Sequence, residues 1–272
     1  MRATLQGRTV LISGGSRGIG LAIARRAAAE GANIALIAKT ADPHPKLEGT
    51  VFSAAEEIRA AGGQALPIVG DVREESSVVD AVAQTVAEFG GIDVVVNNAS
   101  AINLTGSAEI EMKRYDLMHQ INTRGTFLLT RTALPHLRKS ADPRILSLSP
   151  PLNLAQKWLG AYPAYMLAKY GMTLATLGIG AETGIPAATL WPRTTIRTAA
   201  VSNILGGDEV YRRSRTPEIY ADAAHALLTG PAEAMAGQQL LCEDVLRDAG
   251  VTDFSKYSPG VPESELFPDA FV

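Results

Sequence analysis

Ser13-Gly14-Gly15-Ser16-Arg17-Gly18-Ile19-Gly20 is the stretch that decides the fold, and it directly follows the apolar run Thr9-Val10-Leu11-Ile12. The apolar run predicts a buried strand, and a helical pattern over residues 21–30 continues from the last glycine. Gly14 permits a tight turn, Gly18 lets the backbone approach a pyrophosphate, and Gly20 allows a helix to pack closely on the strand. Ordinary turns also need glycine, but a strand before this spacing and a helix after it favour a dinucleotide-binding turn.

Six further apolar runs follow along the chain, at residues 34–38, 66–69, 94–96, 145–148, 187–191 and 239–242. Each is apolar almost throughout, which is typical of parallel strands that are buried on both faces. Helical patterns separate them, at residues 53–62 with a capping box from Ser53 to Glu56, 76–89, 114–139, 164–182 and 217–228. This alternation predicts an α/β fold, a Rossmann-type doubly wound parallel sheet of about seven strands with helices on both faces. A parallel barrel is the alternative, and the glycine turn favours the open sheet.

The composition limits the kinds of protein that the chain can be. It has 272 residues with a formal net charge of −3, which predicts one dinucleotide-binding domain over residues 1–272. The near-neutral charge argues against a nucleic-acid partner, and no apolar run approaches the roughly 20 residues of a membrane span. Cys242 is the one cysteine, so a disulfide within the chain and a cysteine-rich metal site are excluded. With no signal-peptide pattern at the N-terminus, we expect a cytoplasmic protein without a metal.

The residue that follows the second predicted strand bears on cofactor choice. An enzyme that prefers NAD usually carries Asp or Glu about 20 residues after the glycine turn, as an acceptor for the ribose 2′-hydroxyl. Here Lys39 occupies that place, and Arg17 lies within the turn. Two cations would attract a 2′-phosphate through charge-assisted hydrogen bonds, so we expect NADP, with NAD less favoured. The alternatives are that Lys39 is merely solvated, or that Asp42 reaches back to the ribose.

Tyr165 and Lys169 stand four residues apart in a predicted helix, so their side chains lie on one helix face. This spacing is common and usually marks an exposed surface pair. The chemistry of the pair is nevertheless specific, because an adjacent ammonium stabilises a phenolate. A tyrosine, whose ordinary pKa is about 10, then becomes an acid–base group near neutrality.

Taken together, the glycine turn, the stretch Asn97-Asn98-Ala99-Ser100, Asn122, and Tyr165 with Lys169 resemble the short-chain dehydrogenase/reductase family over essentially the whole chain. The resemblance implies an NADP-dependent oxidoreductase that interconverts an alcohol and a carbonyl on a hydrophobic small molecule, such as a lipid, terpenoid or steroid-like compound. It also implies a homodimer or homotetramer formed through long helices. Phe127, Leu128 and Leu134 would suit such packing.

The resemblance further implies a role for each matching residue. Lys169 would bind the nicotinamide ribose, and Asn122 would hold a water for a proton relay, unless its amide bonds the backbone instead. Asp71, with Val72, would flank the adenine, unless Asp71 caps the next helix. The remaining cofactor contacts are Gly14, Ser16, Arg17, Gly18, Ile19 and Gly20 for the diphosphate and the 2′-phosphate side, and Asn98 and Ala99 for the adenosine ribose.

Two departures from the family pattern put the activity in question. The family serine, which polarises the substrate carbonyl, is replaced by Pro150, and the nearest hydroxyl belongs to Ser149. Ser149 either takes over this task or is a strand-end serine with a local backbone bond. In the second case the chain would be an NADPH-binding regulatory or interaction protein with little or no turnover. The family Pro-Gly after the sixth strand is Trp191-Pro192-Arg193-Thr194 here, with Thr194 as the candidate contact to the carboxamide or a phosphate.

Two segments are candidates for the substrate site. Apolar residues between Ser149 and Tyr165 would line a pocket, namely Leu152, Leu154, Trp158 and Leu159. Residues 196–205 would form a lid with Gly206-Gly207 as its hinge. Both sets are equally compatible with ordinary helix packing. A group of arginines in the same region would attract an anionic substrate, or form a solvated face: Arg193, Arg197, Arg212, Arg213 and Arg215.

Overall fold

The computed structural model describes residues 4–43, 49–205 and 207–272. Seven strands form one parallel sheet in the order β3-β2-β1-β4-β5-β6-β7. Their bounds are β1 Thr9–Ser13, β2 Asn33–Ala38, β3 Gln64–Val69, β4 Val94–Asn97, β5 Arg144–Ser147, β6 Ala187–Trp191 and β7 Gln238–Leu241. The order reverses between β1 and β4, so the predicted doubly wound fold is confirmed, and the one-domain assignment stays a prediction.

Helices cover both faces of the sheet. The helices are α1 Gly18–Ala28, α2 Val51–Ala60, α3 Glu75–Phe89, α4 Met112–Met118, α5 Gly125–Leu137, α6 Gln156–Leu159, α7 Pro163–Thr183, α8 Gly207–Arg212, α9 Glu218–Thr229 and α10 Cys242–Asp248. Helices α1, α2, α9 and α10 contribute to the apolar core on one face, and α3, α5 and α7 to that on the other. Among these described helices, none is both long enough and apolar enough to cross a membrane.

The two outer strands differ from the sequence expectation. Strands β3 and β7 are partly exposed, whereas β1, β4, β5 and β6 are buried along their whole length. They lie at the two edges of the sheet, where only one neighbouring strand shields them. The start of α2 also differs, because the capping box is formed by Thr50 and Ser53 rather than by Ser53 and Glu56.

The single helix predicted over residues 114–139 is interrupted. Between α4 and α5 the chain forms a π-helical segment, His119–Arg124, which accommodates one extra residue within a continuous helix. Inside it, Asn122 accepts a hydrogen bond from the Ala101 amide at 2.7 Å and donates one to the Ala101 carbonyl at 2.9 Å. The segment therefore fastens this helix to the loop after β4.

Two glycines of α7 provide a matched test of this packing. A Cβ atom at Gly171 would lie 2.4 Å from the Thr123 hydroxyl of the π-helical segment, whereas one at Gly178 meets no atom within 4 Å. Gly171→Ala should therefore lower the free energy of unfolding by ~1–3 kcal/mol through overpacking. Gly178→Ala should raise it by ~0.5–1 kcal/mol, because alanine loses less backbone entropy in a helix. Urea denaturation measures both changes, and equal effects would contradict the described contact.

Candidate active site

The glycine turn connects β1 to α1 and leaves the start of the helix open. Gly14 and Gly18 adopt φ angles of +72° and +56°, which strain any residue with a Cβ atom. Arg17 occupies the N-cap position of α1 in an extended conformation, and its side chain makes no capping hydrogen bond. Gly18 and Ile19, the first residues of α1, line a cavity here, and the positive end of the helix dipole at such a helix start is a binding site for phosphate.

Asn98, which follows β4, holds the turn in place. Its side-chain amide donates to the carbonyls of Ser13 at 2.9 Å and Gly14 at 2.8 Å. The Ser13 hydroxyl in return accepts hydrogen bonds from the amides of Asn98 and Ala99. A Cβ atom at Gly20 would lie 2.6 Å from this Asn98 amide, so the third glycine is required for the contact as well as for helix packing.

A cavity of about 1010 Å³ lies above this turn. Ten of its lining residues are predicted cofactor contacts: Gly14, Ser16, Arg17, Gly18, Ile19, Lys39, Asp71, Val72, Asn98 and Ala99. Asp42 is not among the lining residues. The structure thus brings the predicted dinucleotide contacts into one cleft at the carboxyl ends of the strands, where ligands of this fold class bind.

One end of this cleft carries the charges that bear on cofactor choice. The Lys39 ammonium, at the end of β2, lies 3.5 Å from an Asp71 carboxylate oxygen. The Arg73 guanidinium donates to the same carboxylate at 2.6 Å. Burial opposes ionisation of Asp71, but these hydrogen bonds and the charge of Lys39 hold its pKa below the ordinary value. Arg17, which lines the cleft, donates to the Gly49 carbonyl at 2.6 Å.

A second cavity, of about 650 Å³, continues from the first. Tyr165 and Lys169 both line it. The two cavities share six lining residues: Ile19, Asn98, Ser100, Ile102, Thr198 and Ala200. A ligand in the first cavity can therefore meet a second molecule bound beside Tyr165.

Tyr165 and Lys169 are both buried, with 7% and 3% of their surfaces exposed. The Lys169 ammonium donates to the Leu148 carbonyl at 2.6 Å and lies 5.0 Å from the ring centre of Trp191. Burial lowers the pKa of Lys169 to about 7, and Asp269 opposes this shift when its carboxyl group is ionised. Burial also raises the pKa of Tyr165 far above its ordinary value, and Asp269 adds to the rise. Burial therefore favours the protonated phenol of Tyr165.

Ser149 is not brought to the site. Its side chain is completely buried, and its hydroxyl donates to the Lys169 carbonyl at 2.6 Å and contacts the Thr173 hydroxyl at 2.8 Å. Both partners belong to α7, and Ser149 is not among the residues that line either cavity. In this structure the Ser149 hydroxyl bonds α7, as in the alternative of a locally bonded strand-end serine, and its role in place of the family serine stays a prediction.

Two other predicted residues also lie away from the cavities. The amide of Asn122 is fully buried and bonds the Ala101 backbone, as in the alternative weighed for it, so its water-relay role stays a prediction. Thr194 pairs with Pro268 through an isolated bridge and lines neither cavity, whereas Thr198 lines both. No motif distinguished Thr198 from Thr194, because the missing glycine leaves the backbone path after β6 undetermined.

The arginine group does not form one anion site. Arg193 pairs with Asp244 at 2.6 Å, and Arg213 with Glu209 at 3.5 Å. Arg215 is 1% exposed and pairs with buried Glu243 at 3.4 Å, and Arg197 donates to backbone carbonyls. These contacts hold the segments after β6 together, so most of the positive charge is already paired.

Residues 266–272, which we call the C-terminal strap, were missed by sequence reasoning. The strap crosses the second cavity, where Pro268, Asp269, Ala270 and Val272 line the wall. Phe271 is fully buried, and its ring lies near four aromatic rings: Trp158, Tyr165, Tyr170 and Trp191. The strap carries no motif and lies about 100 residues from Tyr165, so only the folded chain reveals it.

A cleft at the switch point of a doubly wound sheet, which opens onto a buried tyrosine–lysine pair, defines the class of dinucleotide-dependent oxidoreductases. Comparison with known proteins leads to the same class, because residues 8–193 match the sequence model of the family described as short chain dehydrogenase. The chain belongs to the short-chain dehydrogenase/reductase family.

Its relatives include hydroxysteroid dehydrogenase-like protein 2. The protein of that name from Danio rerio is 52% identical over 272 residues, and the human one is 47% identical. Each match covers 98% of this chain but 64% of the relative, so the chain spans less than two thirds of their length. Four stretches of the sequence predict a resemblance to this relative, namely residues 38–47, 122–126, 149–154 and 168–172, and the comparison confirms it. Of these, residues 44–47 lie outside the described part.

Solved structures show the same likeness. A short chain dehydrogenase from Mycobacterium thermoresistibile is 58% identical with a TM-score of 0.93, and the match covers 99% of this chain and 96% of that one. A candidate dehydrogenase from Xanthomonas campestris is 51% identical with a TM-score of 0.94, and the match covers 99% of both chains.

The position of Ser149 gives a prediction that separates stability from chemistry. Ser149→Ala should lower the free energy of unfolding by ~1–3 kcal/mol, because the buried partners on α7 lose a hydrogen bond. The rate of carbonyl reduction per folded molecule should stay within about threefold, since one lost donor at the reacting oxygen costs ~10²–10³. Urea denaturation and single-turnover kinetics measure the two effects. A hundredfold rate loss without destabilisation would return Ser149 to the catalytic group.

Proposed function

We propose that the protein is an NADP-dependent oxidoreductase that interconverts an alcohol and a carbonyl on a hydrophobic small molecule. The observation that carries this proposal is the placement of buried Tyr165 and Lys169 in a cavity that continues from the dinucleotide cleft. A protein that only binds the nucleotide has no need of this pair at the inner end of the cleft.

The residues of the cleft fit a dinucleotide. The uncapped start of α1 offers N–H groups to a diphosphate, and a Cβ atom on Gly18 would enter this space within 3.5 Å of Thr198. Gly14, Ser16 and Gly18 would hold the diphosphate, and Asn98 and Ala99 would lie at the adenosine ribose. Lys39 and Arg17 would hold the 2′-phosphate, which is the support for NADP over NAD.

In the proposed mechanism the bound nicotinamide supplies or accepts the hydride. During reduction, the Tyr165 hydroxyl donates its proton to the carbonyl oxygen of the substrate. The Lys169 ammonium stabilises the phenolate that remains on Tyr165, and it would bind the nicotinamide ribose. The helix that carries both residues is long and buried against the sheet, so their relative positions are fixed before substrate binds.

The second cavity supports a hydrophobic substrate. Its wall is mainly apolar: Ile102, Leu104, Trp158, Trp191, Ile196, Val201 and Val210. Of the four apolar residues proposed between Ser149 and Tyr165, Trp158 lines this wall, whereas Leu154 is 71% exposed. The proposed lid contributes Ile196, Ala200 and Val201 to the cavity. Of its hinge, Gly207 has a φ angle of +66° and Gly206 lies outside the described residues.

The proposed homo-oligomer would use the exposed apolar residues of α5 and α7. Phe127 is 48% exposed, and Leu167 and Leu174 of α7 are 49% and 59% exposed. Leu128, however, is only 4% exposed and belongs to the apolar core that α3, α5 and α7 form on one face of the sheet. Leu134 packs against this core. These two leucines therefore stabilise the chain's own fold, and the proposal retains only Phe127 from the original set.

A second candidate is an NADPH-binding regulatory protein with little turnover. The observation in its favour is that Pro150 has no hydroxyl and that the Ser149 hydroxyl faces α7. This candidate predicts tight binding of NADPH without oxidation of NADPH by any carbonyl compound.

Replacement of Tyr165 tests the mechanism. A screen of NADPH oxidation with 2-decanone, citral and androstenedione identifies a substrate, and Tyr165→Phe should then lower kcat by at least ~10²-fold, because the proton donor is lost. The affinity for NADPH, measured by fluorescence titration, should not change. Tyr115→Phe is the matched control, since its ring packs on His119 outside both cavities. Unchanged turnover by Tyr165→Phe would refute the mechanism.

Replacement of Lys39 tests cofactor choice. The 2′-phosphate carries roughly −1.5 to −2 charges near neutrality, and hydrogen bonds to charged groups contribute ~1.5–3 kcal/mol each. Lys39→Asp should therefore reduce the preference for NADPH over NADH at least about tenfold in calorimetric titrations. Lys113→Asp makes the same charge change at an exposed pair with Glu111 and should leave the preference intact. Equal affinity of the parent protein for both nucleotides would indicate Asp42 as the ribose ligand.

A further inference from the structure

The second cavity contains a carboxyl group that the proposed mechanism does not use. Asp269, in the C-terminal strap, lines this cavity together with Tyr165 and Lys169. Its backbone amide donates to the Arg193 carbonyl at 3.0 Å, which holds the residue beside the end of β6. One carboxyl oxygen, Oδ1, accepts the Ala270 amide at 2.6 Å. Within residues 4–43, 49–205 and 207–272, no hydrogen bond or ion pair engages the other oxygen, Oδ2.

Three other polar groups of this wall, those of Asn98, Thr195 and Tyr220, are bonded within the protein. The Asn98 amide is bonded to the glycine turn. The Thr195 hydroxyl pairs with Ser214 at 2.6 Å, and the Tyr220 hydroxyl donates to the Leu190 carbonyl at 3.1 Å. Since the Ser149 hydroxyl faces α7, the carbonyl oxygen of a substrate beside Tyr165 lacks the donor that the family serine provides.

We propose that Asp269, as a carboxylic acid, is the catalytic residue that donates a hydrogen bond to the substrate carbonyl oxygen in place of the missing serine. The proposal rests on the proposed oxidoreductase function. During reduction the carbonyl carbon accepts the hydride and the oxygen takes its proton from Tyr165. Asp269 keeps its own proton and stabilises the charge that develops on the oxygen.

Burial favours the protonated form of Asp269, whereas the hydrogen bond from the Ala270 amide opposes it. Burial raises its pKa to about 7, and Glu243 of α10 adds to the rise, while Lys169 of α7 opposes it. The other titratable groups that interact with it are Tyr165, Tyr220 and Cys242. As a carboxylate, Asp269 would raise the pKa of Tyr165 further, whereas the acid form leaves the stabilisation of the phenolate to Lys169. A neutral carboxylic acid is therefore the form compatible with both roles.

Two variants separate hydrogen-bond donation from charge. Asp269→Asn keeps a donor and should retain kcat for reduction at pH 6 within roughly tenfold, whereas Asp269→Ala should lose at least ~10²-fold. If Asp269 instead acted as an anion beside Lys169, the two variants would fall equally, which would overturn the proposal. Asp253→Ala is the matched control. It removes a similar local hydrogen bond, which the Asp253 carboxylate accepts from the Ser255 amide, but Asp253 lies outside both cavities. This variant should therefore leave kcat unchanged.

Two further measurements distinguish chemistry from a structural role of the strap. If the role of Asp269 is only structural, Asp269→Ala will have a lower melting temperature and a higher KM than the parent, but a similar kcat. This result would overturn the proposal. Carbon-13 NMR titration of the parent, with Asp269→Asn for assignment, should show an Asp269 pKa near 7. Ionisation below about pH 5, close to the ordinary aspartate value, would refute the acid form.

The kinetic outcomes also separate this inference from the function on which it rests. If the parent protein turns over none of 2-decanone, citral and androstenedione while it binds NADPH, the oxidoreductase proposal fails and this inference fails with it. If the parent turns over one of them and Asp269→Ala does so equally well, only the role of Asp269 is overturned.

Discussion

The contact between the loop after β4 and the turn after β1 is the constraint on which the rest of the structure depends. A single amide, that of Asn98, spans the point where the strand order reverses and bonds two carbonyls of the glycine turn. Its proximity excludes a Cβ atom at Gly20, so α1 begins close to the sheet and its first residues, Gly18 and Ile19, line the cleft. The position of the cleft thus follows from the hydrogen bonds of the Asn98 side chain and from the lack of a side chain at Gly20.

At the inner end of the cleft, the ionisation of Lys169 depends on a balance between the cost of burying its charge and the stabilisation by neighbouring groups. Lys169 is almost completely buried, yet its ammonium has the Leu148 carbonyl and the Trp191 ring as partners. Removing it from water favours its neutral form, and Asp269 of the strap favours the charged form when its carboxyl group is ionised. The strap therefore tunes the electrostatics of the pair on α7 and closes the substrate space, although it lies beyond residues 8–193 that match the family.

Much of the fold was predictable because parallel strands in a covered sheet leave continuous apolar runs. The start of α2 and the exposed edge strands were not, since helix caps and sheet edges depend on which neighbours are present. The glycine turn and the tyrosine–lysine pair were found because their chemistry requires a fixed spacing. The orientation of the Ser149 hydroxyl was not predictable, because closeness in sequence to Tyr165 does not fix the direction of a side chain. The position of Asp269 beside Tyr165 was not predictable either, because only folding brings the strap to this cavity.

The π-helical segment His119–Arg124 limits how many residues the chain can have between α4 and α5. Successive residues of a helix are rotated by about 100°, so one extra residue sets α4 and α5 out of phase with each other. Deleting one residue of this segment other than Asn122 would restore an unbroken helix and rotate one half against the other. Asn122 would then lose the Ala101 backbone even if every side chain of the site were kept. Natural insertions and deletions should therefore be rarer here than substitutions.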